Sequence, residues 1–250
     1  MSNSHPPHPP EPPGPDEAWA IVLAAGSGRR LDRPEPKAFV EVAGRPMFEW
    51  SLLAIGMCSH VSRAVLVVPP SMLEHTETVG SAFPSVASVV AGGPTRQESV
   101  ERGIVPIPPS ASVVVCHDAA RPLAAPELFD RVVDAVMRAD VDGAVPVVPS
   151  SDTVKRIRAG MVEETIPREA IGLAQTPQAF RRGPLEAAHA VAAGKGLQGT
   201  DDAMLLEGCG YRVVTTEGDP ENFKITTRSD LRRARDILAA RMGASAGGLP

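Results

Sequence analysis

An α/β fold with one doubly wound, mostly parallel sheet is predicted by three observations. Short β-rich runs alternate with helical stretches, most of those runs are continuously apolar, and several helical stretches carry readable ends. A strand covered on both faces shows no polar side, so continuous apolar runs fit a buried parallel sheet better than an antiparallel one facing water. The runs are 19–25 (WAIVLAA), 63–68 (RAVLVV), 87–90, 112–116 (SVVVC), 143–148 (GAVPVV) and 211–216 (YRVVTT). Helices are expected at 47–57, 71–83, 96–102, 126–139, 184–193, 201–208 and 228–242. Thr95 and Glu98 have the spacing of a capping box, Pro126 suits a first helical turn, Thr200 precedes two aspartates that favour a helix start, and Gly210 suits a helix end.

One stretch breaks the alternation. Residues 150–174 carry β-branched pieces around an Ala159-Gly160 turn but too little apolar surface for a core element, so they are expected to project from the sheet as a β-arm. Residues 1–17 hold seven of the 26 prolines and little that could be buried, which predicts a disordered, Pro-rich tail. The tail has no cationic start and no apolar h-region of a secretory signal. The domain proper is expected over 18–242, with a flexible tail at 243–250.

Composition narrows the function. Of 250 residues 43% are hydrophobic, enough for a sizeable core. With 25 Lys+Arg against 30 Asp+Glu the formal charge is -5, which argues against a protein that coats a nucleic acid with cations. No apolar run approaches the ~20 residues that cross a bilayer, so no membrane partner is expected. Cys58, Cys116 and Cys209 lack disulfide or metal spacing and fit a reducing cytoplasm.

Three constellations could carry chemistry, each just after an apolar run. The first is Ala24, Ala25, Gly26, Ser27, Gly28, Arg29, Arg30, followed by Lys37 after Pro36. Small residues let backbone approach a ligand, and successive N–H groups in such a turn make a concavity for phosphate. Leu31 stands where a dinucleotide fold wants its third glycine, and no Walker lysine follows Gly28, so both standard nucleotide loops fail. Arg30 and Lys37 beside a backbone nest suit a triphosphate; a tight turn with solvated cations is the plainer alternative. The second is Gly92-Gly93-Pro94-Thr95, with Ser99 inside the capped helix, where a base edge could be read; taken alone, an ordinary turn with a good cap is the favoured explanation. The third is His117-Asp118-Ala119-Ala120-Arg121. An aspartate at the end of a buried strand must be satisfied by a cation, a hydroxyl, a metal ion or Arg121. His117, alone at no metal spacing, reads as a hydrogen-bonded core or rim residue rather than a ligand.

The ordered set LAAGSGRRL, PEPKAF, GG, RQESV, HDAARP, SDTVKR, TIPRE, AQTPQAF, TDDA and ENFKITT resembles the 2-C-methyl-D-erythritol 4-phosphate cytidylyltransferase family from about Trp19 to the final helix. The resemblance implies a Rossmann-like nucleotidyltransferase that joins CTP to 2-C-methyl-D-erythritol 4-phosphate with Mg²⁺, releasing pyrophosphate, in the non-mevalonate route to isoprenoid precursors. Ala24, Ala25 and Gly26 then match the backbone beside cytosine and ribose, and Gly92 with Ser99 the base-reading turn. Gly28, Arg30 and Lys37 match positions that hold the triphosphate, and Lys224 the lysine that reaches the attacked phosphate. Asp118, Arg121, Thr153, Arg168, Thr176 and Thr200 match positions around the acceptor. Arg30, Lys37 and Lys224 are the catalytic set this implies. Pro94 departs from the polar residue many relatives carry after the glycine pair, which removes one side-chain contact to the base.

These assignments have chemical sense. The acceptor phosphate is already a nucleophile, so the difficulty is bringing two anions together, and catalysis becomes neutralisation of charge. No compact carboxylate cage is present in the sequence, which fits a magnesium ion held mainly by phosphates, with Asp118 the one protein candidate. In the family the arm reaches across a homodimer and supplies its arginine to the neighbouring site, so a dimer through the arm is expected, with Thr153 and Arg168 acting there. The rivals are a ribitol 5-phosphate cytidylyltransferase and a catalytically silent nucleotide-binding or scaffold protein; retention of Arg30, Lys37 and Lys224 argues against the latter.

Overall fold

The computed structural model describes residues 18–26, 35–138 and 140–246, and every structural statement here concerns these. The expected Pro-rich tail, Gly28 and Arg30 lie outside them.

The chain begins with strand β1 (Ala18–Leu23), whose alternate residues feed two different cores. Ala18, Ala20 and Val22 pack with Phe48, Leu52, Phe129 and Val132 on one face, while Trp19 and Ile21 pack with Val100, Ile104, Leu185 and Leu206 on the other. This two-sided burial is the physical origin of the unbroken apolar run. After a 3-10 turn at Lys37–Phe39, the chain forms a small hairpin of β2 (Glu41–Val42) and β3 (Arg45–Pro46). Ala43 and Gly44 turn it, at φ of 51° and 81°. Helix α1 (Met47–Ile55), strand β4 (Val61–Val68), helix α2 (Leu73–Gly80), strand β5 (Val86–Ala91), helix α3 (Arg96–Ile104), strand β6 (Val113–Asp118), helix α4 (Pro126–Arg138) and strand β7 (Gly143–Pro149) continue the predicted alternation. Thr95 caps α3 by accepting from the Glu98 N–H. The rest of the box is altered, because the Glu98 carboxylate meets the Thr95 hydroxyl at 3.3 Å.

The arm is a twisted hairpin of β8 (Val154–Arg158) and β9 (Met161–Ile166), turned by Ala159 and Gly160, both at positive φ. It pairs only with itself and forms a sheet of its own. Beyond it lie β10 (Gly172–Ala174), β11 (Gln178–Arg181), helix α5 (Arg182–Lys195), helix α6 (Asp202–Gly208), strand β12 (Val213–Glu217) and helix α7 (Arg228–Ala246).

The main sheet runs β5-β4-β1-β6-β11-β7-β12, with β10 pairing β7 on the side facing β11. Pairings among β5, β4, β1 and β6, and between β7 and β12, are parallel. The sheet is thus the expected mostly parallel one, with an antiparallel insertion that sequence did not predict: β11 lies between β6 and β7 and runs against both. Asp201, rather than Thr200, caps α6 by accepting from the Met204 N–H. The final helix extends to Ala246, so residues 243–246 of the expected flexible tail are helical; Ala244 and Ala246 are strong helix formers. A third core of Val40, Val42, Met47, Ile225, Leu231 and Leu238 seats α7 on the small hairpin.

Candidate active site

The parallel strands deliver their C-terminal ends to one edge, where the three sequence constellations meet. Register places Leu23 beside Asp118 on one side and Val67 on the other, and Val68 beside Ala91. The chain leaving each strand stays bonded to its neighbour: Ala24 N–H donates to Val67 O, Gly92 N–H to Val68 O and Ala119 N–H to Leu23 O. Ala24 is buried, Ala25 half-buried and Gly26 exposed, so exposure rises along these three residues from a buried root. Gly92 is needed for this approach, since a Cβ there would stand 2.4 Å from the Ala25 Cβ and 3.0 Å from Ser99 Oγ. Ser99 Oγ accepts from the Gly93 N–H at 3.1 Å and donates to Thr95 O at 2.8 Å. It therefore shapes the glycine turn, which is the structural half of the role its position implies.

Asp118 is the hub. Its Oδ1 accepts from Arg96 Nε at 3.1 Å and its Oδ2 from Lys224 Nζ at 2.6 Å, while its backbone N–H donates to Thr176 Oγ1 at 3.0 Å. Burial, the largest single influence, would raise its pKa, but the charges of Arg96 and Lys224 outweigh it and hold the carboxyl well below the usual range. The structural Asp118–Arg121 pair that sequence left open is not the arrangement found. Arg121 instead donates to Asn222 O at 2.7 Å and Ala174 O at 3.2 Å, tying the loop after β6 to the loop that carries Lys224. Ile225 N–H donates to Ala120 O, and the buried Asn222 amide donates to Thr176 O at 2.9 Å, completing that attachment.

Of the two places expected for His117 it takes the core: it is fully buried, its Nδ1 lies 3.2 Å from Thr176 Oγ1, and its ring packs on Phe129 at 4.9 Å. Burial drives its pKa down to about 3, so it stays neutral in the folded protein.

The remaining expected residues are placed less centrally. Lys37 opens the 3-10 turn whose Ala38 is buried and whose Phe39 ring packs at a tilt against Phe48, centroids 5.1 Å apart, a firm seat for the lysine. Thr200 is exposed beside the α6 start, its hydroxyl 3.7 Å from Met204 Sδ. Thr153 and Arg168 sit on the arm and are exposed; Arg168 reaches Ser151 O at 3.5 Å and Glu169 at 3.6 Å. One chain therefore brings together Ala24, Gly26, Gly92, Ser99, Asp118, Arg121, Thr176 and Lys224, and leaves the arm residues turned to other company.

Sequence reading missed four side chains of this site. Arg96 bridges Asp118 and Asp202, Asp202 in turn meets His189, and Gln175 clips the Asp219 backbone through both ends of its amide. Arg96 had a signal: a cation at the first position of a helix opposes the macrodipole and calls for an external reason. Among the described residues no group of three or more His, Cys, Asp or Glu could hold a metal ion. Both Asp118 oxygens are engaged by Arg96 and Lys224, so a magnesium ion here would be held chiefly by nucleotide phosphates rather than by a protein cage.

A doubly wound sheet whose strand ends gather two glycine turns, one carboxylate and several cations defines a nucleotidyltransferase. The family model for 2-C-methyl-D-erythritol 4-phosphate cytidylyltransferase (IspD) matches residues 18–240. The chain is 42% identical to the enzyme of that name from Frankia casuarinae over 88% of its own length and 80% of the relative's. It is 44% identical, over 90% of its length, to the bifunctional enzyme IspD/IspF of Clavibacter michiganensis, of which it spans only 55%. The solved 2-C-methyl-D-erythritol 4-phosphate cytidylyltransferase of Thermus thermophilus superposes with a TM-score of 0.72 at 35% identity, covering 89% of this chain and 99% of that one. The chain belongs to the 2-C-methyl-D-erythritol 4-phosphate cytidylyltransferase family, a family of transferases in isoprenoid-precursor biosynthesis.

Proposed function

We propose that this site joins CTP and 2-C-methyl-D-erythritol 4-phosphate by direct in-line displacement. An acceptor phosphate oxygen forms a bond to the CTP α-phosphorus, the bond to the bridging oxygen breaks, and the electron pair leaves with pyrophosphate. The observation that carries this reading is the gathering of Arg96 and Lys224 on Asp118 at the strand ends, beside the root of the 24–26 turn. Such a cluster suits neutralisation of two anions rather than proton abstraction. The neutral, buried His117 is no base for the reaction.

In this reading Ala24, Ala25, Gly26, Gly92 and Ser99 hold the cytidine, and Gly28, Arg30 and Lys37 hold the triphosphate. Lys224 leaves Asp118 for the α-phosphate as negative charge grows there, a donor contribution of ~3 kcal/mol for a well-placed group. Asp118 is then open to an acceptor hydroxyl or to magnesium, while Arg121, Thr176 and Thr200 bound the acceptor. Magnesium would supply charge neutralisation on the triphosphate, held mainly by phosphates, with Asp118 the candidate protein ligand. Thr153 and Arg168 serve the neighbouring subunit of a homodimer. The exposed Ile157, Met161 and Val162 of the arm support that assembly, because they leave apolar surface for a partner to cover. Among the described residues no helix is long and apolar enough to cross a membrane, and Cys58, Cys116 and Cys209 are free.

The family match favours methylerythritol phosphate over ribitol 5-phosphate. Pyrophosphate release measured with CTP, UTP, ATP and GTP against both acceptors tests this. Release is expected with CTP and methylerythritol phosphate; activity confined to ribitol phosphate overturns the acceptor, and no release with any pair restores the silent-binder reading.

A further inference from the structure

Resting on that reading of the reaction, we propose that Arg96 is a positioning residue for Lys224: by occupying one oxygen of Asp118 it fixes where the Lys224 ammonium stands and how much of its charge remains for a phosphate. The inference rests on a chain of four buried or half-buried groups drawn from four different elements. Arg96, the first residue of α3, donates from Nε to Asp118 at 3.1 Å and from Nη1 to Asp202 at 2.8 Å. Asp202, fully buried at the first position of α6, also takes His189 Nε2 from α5 at 3.1 Å. His189 Nδ1 lies 3.4 Å from Glu101, back on α3, which closes the ring of contacts.

Three features make this more than an ordinary structural ion pair. Arg96 stands at a helix N-terminus, where a cation is disfavoured, so its place answers to the carboxylates and not to the helix. Its Nη2 is shut from solvent with no hydrogen-bond partner among the described residues, so the guanidinium is held by its two carboxylates at the expense of its third nitrogen. Finally, Arg96 is one of just two cations bonded directly to these two carboxylates among the described residues. Asp118 and Asp202 carry two negative charges, Arg96 and Lys224 two positive. Without Arg96, both Asp118 oxygens would fall to Lys224, and the ammonium would be drawn away from any phosphate. Asp202 and His189 hold Arg96 from behind.

The test compares Arg96→Met and Arg96→Lys with the unaltered protein, alone and combined with Lys224→Met. Pyrophosphate release is read alongside the NMR resonance of the Lys224 Cε in isotope-labelled protein. Arg96→Met is expected to lower kcat by about 10- to 100-fold while the KM for CTP moves by less than about threefold. Arg96→Lys should recover part of that loss, because one ammonium can hold Asp118. On the Lys224→Met background the Arg96→Met change should add less than about threefold, the signature of two residues acting as one unit. The Lys224 Cε resonance should shift in Arg96→Met whether or not the protein turns over. Equal losses on both backgrounds, or an unmoved resonance, overturn the inference; should Arg96→Met fail to fold, Arg96→Lys alone must still shift the resonance. A resonance that shifts on Arg96→Met, in a protein whose unaltered form releases no pyrophosphate from any pair, overturns the reaction reading and leaves the positioning intact.

Discussion

The Asp118 cluster and the β8–β9 hairpin are both rich in charge, yet they are held in opposite ways. At the cluster Arg96, Asp118, Asp202 and Arg121 each bond two partners from distant parts of the chain, and Asp118, Asp202 and Asn222 are buried. On the hairpin the pairs are local and wet: Arg156–Glu164 is 57% and 49% exposed, and Arg158–Glu163 is 81% and 40% exposed. Pairs of that kind contribute roughly 0 to 1 kcal/mol each. The cluster is completed by its own chain, whereas the hairpin buries almost nothing of its own and presents Ile157, Met161 and Val162 outward.

The largest expected effect breaks the cluster side of this contrast. Lys37→Ala and Lys224→Ala should each lower turnover by about a hundredfold or more, because each removes a cation from developing charge. Removing Lys224 still leaves Asp118 paired with Arg96, so circular dichroism and the melting temperature should stay near those of the unaltered protein. Near-normal turnover in either variant would refute its role.

A second experiment probes the hairpin side. Arg168→Ala should lower activity through the acceptor, with a raised KM for methylerythritol phosphate. If its guanidinium serves the partner's site, refolding Arg168→Ala together with Lys224→Ala should create mixed dimers in which one site of two has both groups. Random mixing then restores about a quarter of the unaltered activity, since about half of all dimers are mixed under two-fold assembly. Failure to recover activity above that of either variant alone would place Arg168 in its own chain's site and remove the reason for the arm's exposure.

What sequence could show of these two regions follows from how each is built. The strand-end constellations were legible because their parts are contiguous: Ala24 to Gly26, Gly92 with Ser99, and His117 to Arg121 each follow an apolar run. The arm was legible as a shortage of apolar residues between β-branched pieces. The antiparallel β11 was not, because QAFR is four residues long and takes its identity as a strand from β6 and β7 on either side. Nor was the Arg96–Asp202–His189 chain, whose members lie up to 106 residues apart and meet only when α3, α5 and α6 pack on one face. Asp118 stood out in sequence as a carboxylate needing a partner, but the nearest cation, Arg121, was the wrong one. The fold supplied Arg96 and Lys224 instead, from 22 and 106 residues away.

The same difference in burial decides which region feels acid. His117 is neutral in the folded protein down to about pH 3 because burial disfavours its charged form, whereas in the unfolded chain it titrates near 6.5. Between those values the unfolded state binds a proton that the folded state refuses, so stability falls as pH is lowered through that window. The slope from this one group is about 1.4 kcal/mol per pH unit. Asp118 and Asp202, held below the usual carboxylate range by their cations, add a loss that begins only as pH falls under the unfolded value of 3.8. The exposed hairpin pairs should add little to either limb. His117→Gln keeps a polar group near Thr176 but removes the titration, so urea unfolding from pH 6.5 down to 4 should show a shallower decline than in the unaltered protein. An identical decline would mean that His117 reaches its proton without unfolding, and that the floor beneath Asp118 is looser than the hydrogen bond to Thr176 implies.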